Sequence, residues 1–199
     1  MLDLADRRTE KARTEHAAAT KELPFQRGDV LFHATHGLCL VKGIVGKPGG
    51  LEGLSYWIEP VRPGKHLSRY FVGVHQAIES GFHLPISEKE MEDIFLSFRR
   101  GRTEPGSFDR VDYSFQLRTI AQGNTARAFA DVLLMAVSKQ LYCDRGEIKI
   151  VKHAAEALAQ EIAAVLKIPV KKAFALIRKN LRTHLVAHPW LGDLLTFKD

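Results

Sequence analysis

The chain has 199 residues, of which 45% are hydrophobic and 26% charged, and its formal net charge is +6 at pH 7. This length and hydrophobic content allow one large or two small cores, which excludes a wholly disordered chain. The positive charge favours polyanions such as nucleic acid or acidic protein surfaces, and its distribution along the chain has to distinguish between them.

The N-terminus and the cysteines bear on location. Residues 1–22 are charged and alanine-rich, which is typical of a solvated helix or a disordered arm and unlike a signal peptide. No later run reaches the roughly 20 apolar residues of a membrane span. Cys39 and Cys143 lie far apart without C-x-x-C spacing, so neither a zinc site nor a disulfide framework is predicted. We therefore expect a cytoplasmic protein with no membrane partner.

Short apolar runs separated by turn residues predict a small antiparallel β-domain over residues 23–84. Pro48-Gly49-Gly50 closes the second run, and Pro63-Gly64 separates the third from the fourth. The predicted strands cover residues 30–32, 38–41 with Ile44 and Val45, 54–58 and 67–72.

After Pro85 the hydrophobic period changes from about two to about 3.6 residues, which predicts helices over residues 87–183. Ser87 and Glu90 form a capping box at the start of the first helix. A second helix ends before Gly123, and a third is expected to start at the cap residue Asn124 and to end at residues 144–146. The predicted apolar positions of these three helices are Met91, Ile94, Phe95 and Phe98; Val111, Phe115 and Ile120; and Ala126, Phe129, Ala130, Leu133, Val137 and Leu141.

Two further helices are separated by Ile168-Pro169, with Pro169 expected in the first turn of the fifth. Their predicted inner faces comprise Ile148, Val151, Ala155, Leu158, Ile162 and Val165, then Ala173, Phe174, Ile177 and Leu181. Basic residues are expected on the outer face of the fifth helix, namely Lys171, Lys172, Arg178, Lys179 and Arg182. The tail, residues 184–199, contains Trp190 and docks either on the helices or on a partner.

Metal binding and catalysis are not expected. His33, His36 and Cys39 have a spacing that superficially resembles metal ligands, but side chains in a strand and turn need not converge, and no second ligand pair is evident. The sequence has no G-x-S-x-G motif and no phosphate-binding glycine-rich loop. We therefore expect a protein that is not an enzyme and needs no cofactor.

The stretch from Phe25 to Val30, followed by an aromatic residue, by His36-Gly37 and by an apolar strand, resembles the opening of the CarD and CdnL family of bacterial transcription factors. The helical half is similar in Tyr113, in Ala130-Asp131-Val132 and in residues 147–163. The resemblance covers about residues 25–181. It implies an α+β fold in which a Tudor-like (SH3-like) β-domain precedes an all-α helical bundle.

The resemblance also implies a monomeric transcription regulator that binds the RNA polymerase β subunit. Its helical domain would contact promoter DNA at the upstream edge of the bubble and modulate open-complex stability. The family's polymerase contacts match Lys47, Arg69 and Phe71, and its DNA contacts match Lys139, Lys149, Lys152 and His153. Alternation along a strand predicts Arg69 and Phe71 on one face.

The sequence departs from the family at three places. Val72-Gly73 stands where Val-Pro is usual, and His33 where proline is common. The large aromatic side chain expected at the end of the third helix is replaced by residues 135–137, so Val137 is either a substitute wedge or a core residue. This last departure leaves two alternatives open: a protein-interaction module, or an anti-polymerase factor that uses the β-subunit site without contacting promoter DNA.

Overall fold

The computed structural model describes residues 23–46, 53–61, 68–101, 110–138 and 143–196. The chain is α+β, with an antiparallel sheet of four strands followed by helices. It divides into two compact units, Met1–Leu84 and Pro85–Asp199, which we call the β-unit and the helical unit. Within the described ranges, no helix is both long enough and apolar enough to span a membrane.

The sheet of the β-unit has four strands: β1 (Val30–His33), β2 (Gly37–Val45), β3 (Ser55–Pro60) and β4 (Tyr70–Gly73). Their order in the sheet is β1-β2-β3-β4, and each neighbouring pair is antiparallel. A bridge between Phe32 and His83 pairs the outer edge of β1. Strand β4 forms the other edge of the sheet.

One face of the sheet is buried because apolar residues alternate along the strands. In β3, Tyr56 and Ile58 are fully buried. The backbone N–H of Phe25 donates to the Tyr56 hydroxyl at 3.1 Å, which links the segment before β1 to the core. Burial raises the pKa of Tyr56. The remaining core residues are Leu23, Leu31, Cys39, Val41, Leu54, Val74, Ala77 and Phe82.

The helical unit contains six helices among the described residues. They are α1 (Glu88–Arg100), α2 (Arg110–Ala121), α3 (Ala126–Ser138), α4 (Arg145–Leu166), α5 (Val170–Leu185) and α6 (Pro189–Leu194). Helices α3 and α4 pack against each other and against α2. In addition, α1 packs against α3 and α5, and α5 packs against α4.

The predicted inner face of α5 is confirmed, and that of α4 is confirmed except at its two ends. In α5, Ala173, Phe174, Ile177 and Leu181 are all buried. In α4, Val151, Ala155, Leu158 and Ile162 are buried, whereas Ile148 is exposed and Val165 only half-buried. Ile148 lies in the first turn of α4, where its neighbour Glu147 is the buried side chain.

The prediction for α2 is wrong at Phe115, which is 70% exposed. Tyr113 and Leu117, four residues apart, are the buried side chains instead. Apolar residues occur on two sides of this helix, and spacing alone does not decide which side meets α3 and α4. Phe95 of α1 and Ile120 of α2 are half-buried. The predicted Val111 and Leu141 side chains lie outside the described residues.

Helix starts depend on specific caps. The Ser87–Glu90 capping box of α1 is confirmed. The expected cap Asn124 is wrong, because Asn124 has φ 48° and the Thr125 hydroxyl accepts the Ala128 N–H at 3.2 Å. Pro169 is the cap of α5 rather than a first-turn residue.

Helix α4 begins with a second capping box, in which Asp144 and Glu147 bond reciprocally. Residues 144–146 therefore start a helix instead of ending the third one as predicted, and α3 ends at Ser138. Glu147 is almost fully buried and also accepts the Ser114 hydroxyl of α2. The cap thus fixes α4 to α2 as well as starting the helix.

Both ends of the helical unit are held by buried residues. The backbone N–H of Ile86 donates to the fully buried Glu161 carboxylate of α4 at 2.9 Å. At the other end, Leu191 and Leu195 are fully buried, and α6 packs against α5. Of the two alternatives for the tail, docking on the helices of the chain itself is therefore observed for α6.

Candidate functional site

The outer face of the sheet around β3 carries a group of polar and aromatic side chains that are exposed or half-buried. We call it the β-face patch: Lys42, Trp57, Glu59, Arg69 and Phe71. Trp57 and Phe71 are opposite each other in the register of the two strands, and their rings stack at 6.5 Å between centroids. The Arg69 guanidinium carbon lies 5.6 Å from the centroid of the Trp57 ring. Arg69 and Phe71 therefore share one face through Trp57.

Glu59 holds the charged side chains of the β-face patch together. Its carboxylate accepts the Trp57 indole N–H at 3.2 Å and lies 3.3 Å from Arg69 Nε and 3.9 Å from Lys42 Nζ. Two cations share one carboxylate, so the patch keeps a net positive charge. Phe71 is 62% exposed, and the surface therefore combines an accessible aromatic ring with an oriented guanidinium group.

The β-face patch adjoins an edge strand. Among the described residues, no strand pairs with the outer side of β4. The outward backbone groups of an edge strand are available to pair with a strand from another chain. Gly73 lies in β4 opposite Ser55.

Sequence reasoning found part of the β-face patch. Arg69 and Phe71 belong to it, whereas the predicted Lys47 lies outside the described residues. Trp57 and Glu59 were missed, although their alternation with the buried Tyr56 and Ile58 marks them as residues of the opposite face.

The described DNA-contact candidates lie on the outer face of α4. They are the exposed residues Lys149, Lys152 and His153. The second and third follow the first by three and four residues, which places all of them on one side of a helix. Lys152 Nζ lies 3.7 Å from the Glu156 carboxylate one turn further on. The His153 ring meets Phe129 edge-on at 5.9 Å. The predicted Lys139 lies outside the described residues.

The end of α3 presents no exposed wedge at residues 135–137. Met135 and Ala136 are buried, and Val137 is 7% exposed. The interpretation of Val137 as a core residue is therefore confirmed, and its interpretation as a substitute wedge is wrong. The reason is that α3 packs against α1, α2 and α4 and buries nine of its 13 residues, including all three at this end.

His33 and His36 form a ring stack rather than a metal site. Their rings stack at 4.4 Å, and His36 stacks on Tyr70 at 4.2 Å. His33 Nδ1 accepts the Thr35 N–H at 3.1 Å. Burial lowers the pKa of His36 and raises the pKa of the Cys39 thiol to about 11. Over the described ranges, no group of three His, Cys, Asp or Glu side chains could hold a metal ion.

The described residues thus offer two candidate surfaces, the β-face patch beside β4 and the basic outer face of α4. Both consist of side chains suited to binding a macromolecule. No protein-family model matches the chain, and no curated protein matches it.

Proposed function

We propose that the protein is a CarD-like transcription regulator that acts in the cytoplasm as a monomer without a cofactor. In this proposal the β-unit is Tudor-like and binds the RNA polymerase β subunit. The helical unit forms a bundle that contacts promoter DNA at the upstream edge of the bubble and modulates open-complex stability. The observation that carries the proposal is the β-face patch beside the open edge strand β4.

The chemistry of this surface suits protein binding by strand addition. In that mode, main-chain hydrogen bonds along the edge supply affinity and the side chains beside it supply specificity. Aromatic residues and arginine are the side chains that most often dominate binding energy at protein interfaces. The β-face patch provides these types: Trp57 contacts both Phe71 and Arg69. Because these side chains already hold one another in place, they lose little conformational freedom on binding.

The polymerase proposal is tested with the full-length protein and purified polymerase. We expect Arg69→Glu or Phe71→Ala to weaken binding to the β subunit by roughly thirtyfold, the effect of losing about 2 kcal/mol at an interface. Affinity is measured by surface plasmon resonance. Matched controls are Arg118→Glu and Phe115→Ala, which change the same residue types at exposed positions of the helical unit. Unchanged binding in both variants of the β-face patch, with the fold intact, refutes the β-subunit site.

The proposed DNA contact is electrostatic. Lys149 and Lys152 are exposed lysines on one side of α4, and phosphate contacts need only cations on a common surface. The ion pair with Glu156 reduces the charge of that surface, so modest intrinsic affinity is expected. Binding to polymerase compensates, because tethering produces an effective DNA concentration of the order of millimolar.

We expect DNA affinity to fall steeply with salt and to depend little on sequence. In a plot of log affinity against log salt, Lys149→Glu with Lys152→Glu should reduce the slope by about 2, since each phosphate contact contributes about 0.9. Fluorescence anisotropy with duplex DNA measures this. Lys89→Glu with Arg118→Glu is the charge-matched control. Affinity that is insensitive to salt, or equal in the two double variants, contradicts a contact through α4.

The buried end of α3 favours a second candidate, an anti-polymerase factor that occupies the β-subunit site without promoter contact. The support is that Met135, Ala136 and Val137 leave no side chain to insert at the bubble edge. Open-complex lifetime on a promoter distinguishes the two. A regulator of the CarD kind alters that lifetime, whereas the second candidate leaves it unchanged and displaces other proteins from the β subunit.

A further inference from the structure

The stretch between Glu161 and Asp193 contains no aspartate or glutamate, although the chain as a whole has 23 of them. Its charged residues are all basic: Lys167, Lys171, Lys172, Arg178, Lys179 and Arg182. Helix α5 occupies most of this stretch. Positive charge is therefore concentrated on one element.

The outer face of α5 forms a shallow, open groove with α6. The groove has a volume of about 610 Å³. Its lining changes along the chain from basic (Arg178, Lys179 and Arg182) to apolar (Leu185, Val186 and Pro189), and we call these residues the basic half and the apolar half. These α5 residues recur at spacings of three and four, so they form a continuous stripe along the helix.

The cations of this groove differ from others in the helical unit. Arg127 pairs with Asp131, and Lys152 pairs with Glu156. Among the described residues, no carboxylate lies within ion-pair distance of Arg178, Lys179 or Arg182. Asp193 is the one acidic residue among the described groove-lining residues. An anionic partner would supply the charge that the described part of the chain does not place beside these three cations.

The apolar half is accessible as well, because Val186 and Pro189 are exposed and Leu185 is half-buried. Val186 is 82% exposed, at the point where α5 ends. A nucleic acid backbone would satisfy the arginines and leave Val186 and Leu185 uncovered. A peptide that carries carboxylates followed by an apolar side chain would cover both halves, because arginine pairs with carboxylate through two parallel hydrogen bonds and Val186 gains apolar contact.

We infer that the α5–α6 groove docks an acidic amphipathic segment of a partner protein. Its carboxylates pair with Arg178 and Arg182, which lie one helical turn apart, and an apolar side chain packs against Val186. This recognition follows the helix-in-groove mode, in which anchors recur every three or four residues. The inference stands apart from the polymerase and DNA proposals, since it uses neither the β-face patch nor the outer face of α4.

The test uses the full-length protein and three fluorescent probes. The first is a helical peptide of about 20 residues, long enough to hold a helix, with glutamates four residues apart and leucines one turn further on. The second replaces each leucine by serine at equal charge, and the third is a DNA duplex. We expect the leucine peptide to bind roughly tenfold more tightly than the serine peptide, as burial of apolar side chains dictates.

Two variants separate the halves of the groove. Arg178→Glu with Arg182→Glu should weaken both peptides by about tenfold or more, because two charge-assisted pairs become repulsive. Val186→Asp should remove the advantage of the leucine peptide. Lys89→Glu with Arg118→Glu matches the charge change elsewhere and should leave peptide binding unchanged. All altered side chains are exposed, and circular dichroism verifies that the helices persist.

Equal binding of the two peptides to the unaltered protein overturns the inference. So does a leucine-peptide affinity that Val186→Asp leaves unchanged. Duplex DNA that outcompetes both peptides, with dependence on Arg178 and Arg182 but not on Val186, also overturns it and assigns these cations to nucleic acid.

Discussion

Val137 and Phe115 are both apolar helix residues, and they differ in exposure by tenfold. Val137→Trp adds volume to a packed site at the end of α3. We expect it to lower the free energy of unfolding by about 1–3 kcal/mol, the usual cost of overpacking. Urea titration followed by circular dichroism measures the change. Phe115→Ala, which truncates an exposed ring, should stay within about 0.5 kcal/mol. A Val137→Trp protein as stable as the parent would mean that the end of α3 is open.

These two residues also mark what sequence could predict at this scale. Val137 belongs to the apolar stripe on the buried side of α3, and this stripe predicts it as a candidate core residue. Phe115 has the same hydrophobicity signal, but Tyr113 and Leu117 take the inner side of α2. The choice between two apolar sides depends on which neighbouring helices are present, and that is a tertiary property. Trp57 was missed for a different reason, because a large aromatic suggests core until its strand partners are known.

Helix α1 depends on its cap. Ser87→Ala removes the hydroxyl that accepts the Glu90 N–H at 3.2 Å, and we expect a loss of about 1 kcal/mol in unfolding free energy. Lys89→Ala is the control within the same turn and should be close to neutral. Denaturant unfolding at neutral pH measures both. Equal stability of the two variants would indicate that water replaces the Ser87 hydroxyl without cost.

The same cap has a pH signature. Hydrogen bonds from the Ser87 backbone N–H and hydroxyl lower the pKa of Glu90 below its usual 4.5. Because the folded protein holds the ionised form, this contribution is present above pH 4.5 and is lost as pH falls towards the lowered value. The cost of Ser87→Ala should therefore shrink in acid.

Elements were predicted well where several local features agree. Helix α1 has a predicted cap and a 3.6-residue period, and both are observed. For α3, Asn124 and Thr125 are both common cap residues, and the backbone decides between them, because Asn124 is in the left-handed region. The sequence predicts Asp144 at the end of the third helix, whereas it is the cap of α4. Asp and Gly are common both in turns and at helix caps, so the residue types do not distinguish the two.

At the scale of a whole unit, the ring stack makes β-unit stability depend on pH. Burial lowers the pKa of His36 below 6.5. The unfolded chain takes up a proton at pH 6.5, whereas the folded chain resists it, so this contribution is present above pH 6.5 and is lost as pH falls towards the folded pKa. We expect the urea midpoint of the β-unit to decrease over that interval.

The chain has two tryptophans, Trp57 in β3 and Trp190 in α6. Trp190→Phe leaves Trp57 as the only tryptophan, so tryptophan fluorescence then reports unfolding of the β-unit alone. In this background, His36→Phe keeps an aromatic ring between His33 and Tyr70 and removes the titrating group. The decrease with falling pH should become smaller. An identical pH profile in the two proteins would assign the effect to other groups.

The change of hydrophobic period at Pro85 predicts a sheet followed by helices, and this α+β order is observed. The β-face patch and the α5–α6 groove could be predicted only in part. Arg69 and Phe71 follow from strand alternation, but the contact with Trp57 depends on the register of β3 and β4. The α5–α6 groove depends on where α6 packs, and a tail rich in leucine does not specify that position.

The bond from Ile86 to Glu161 determines where a helical fragment can be cut. A fragment that starts at Pro85 keeps this donor, whereas one that starts at Ser87 keeps the helix cap and loses a hydrogen bond to a carboxylate without solvent access. Removing a partner of a buried charged group costs about 1–3 kcal/mol or more. An expression boundary drawn at the cap residue Ser87 would thus weaken a fragment whose every helix is intact.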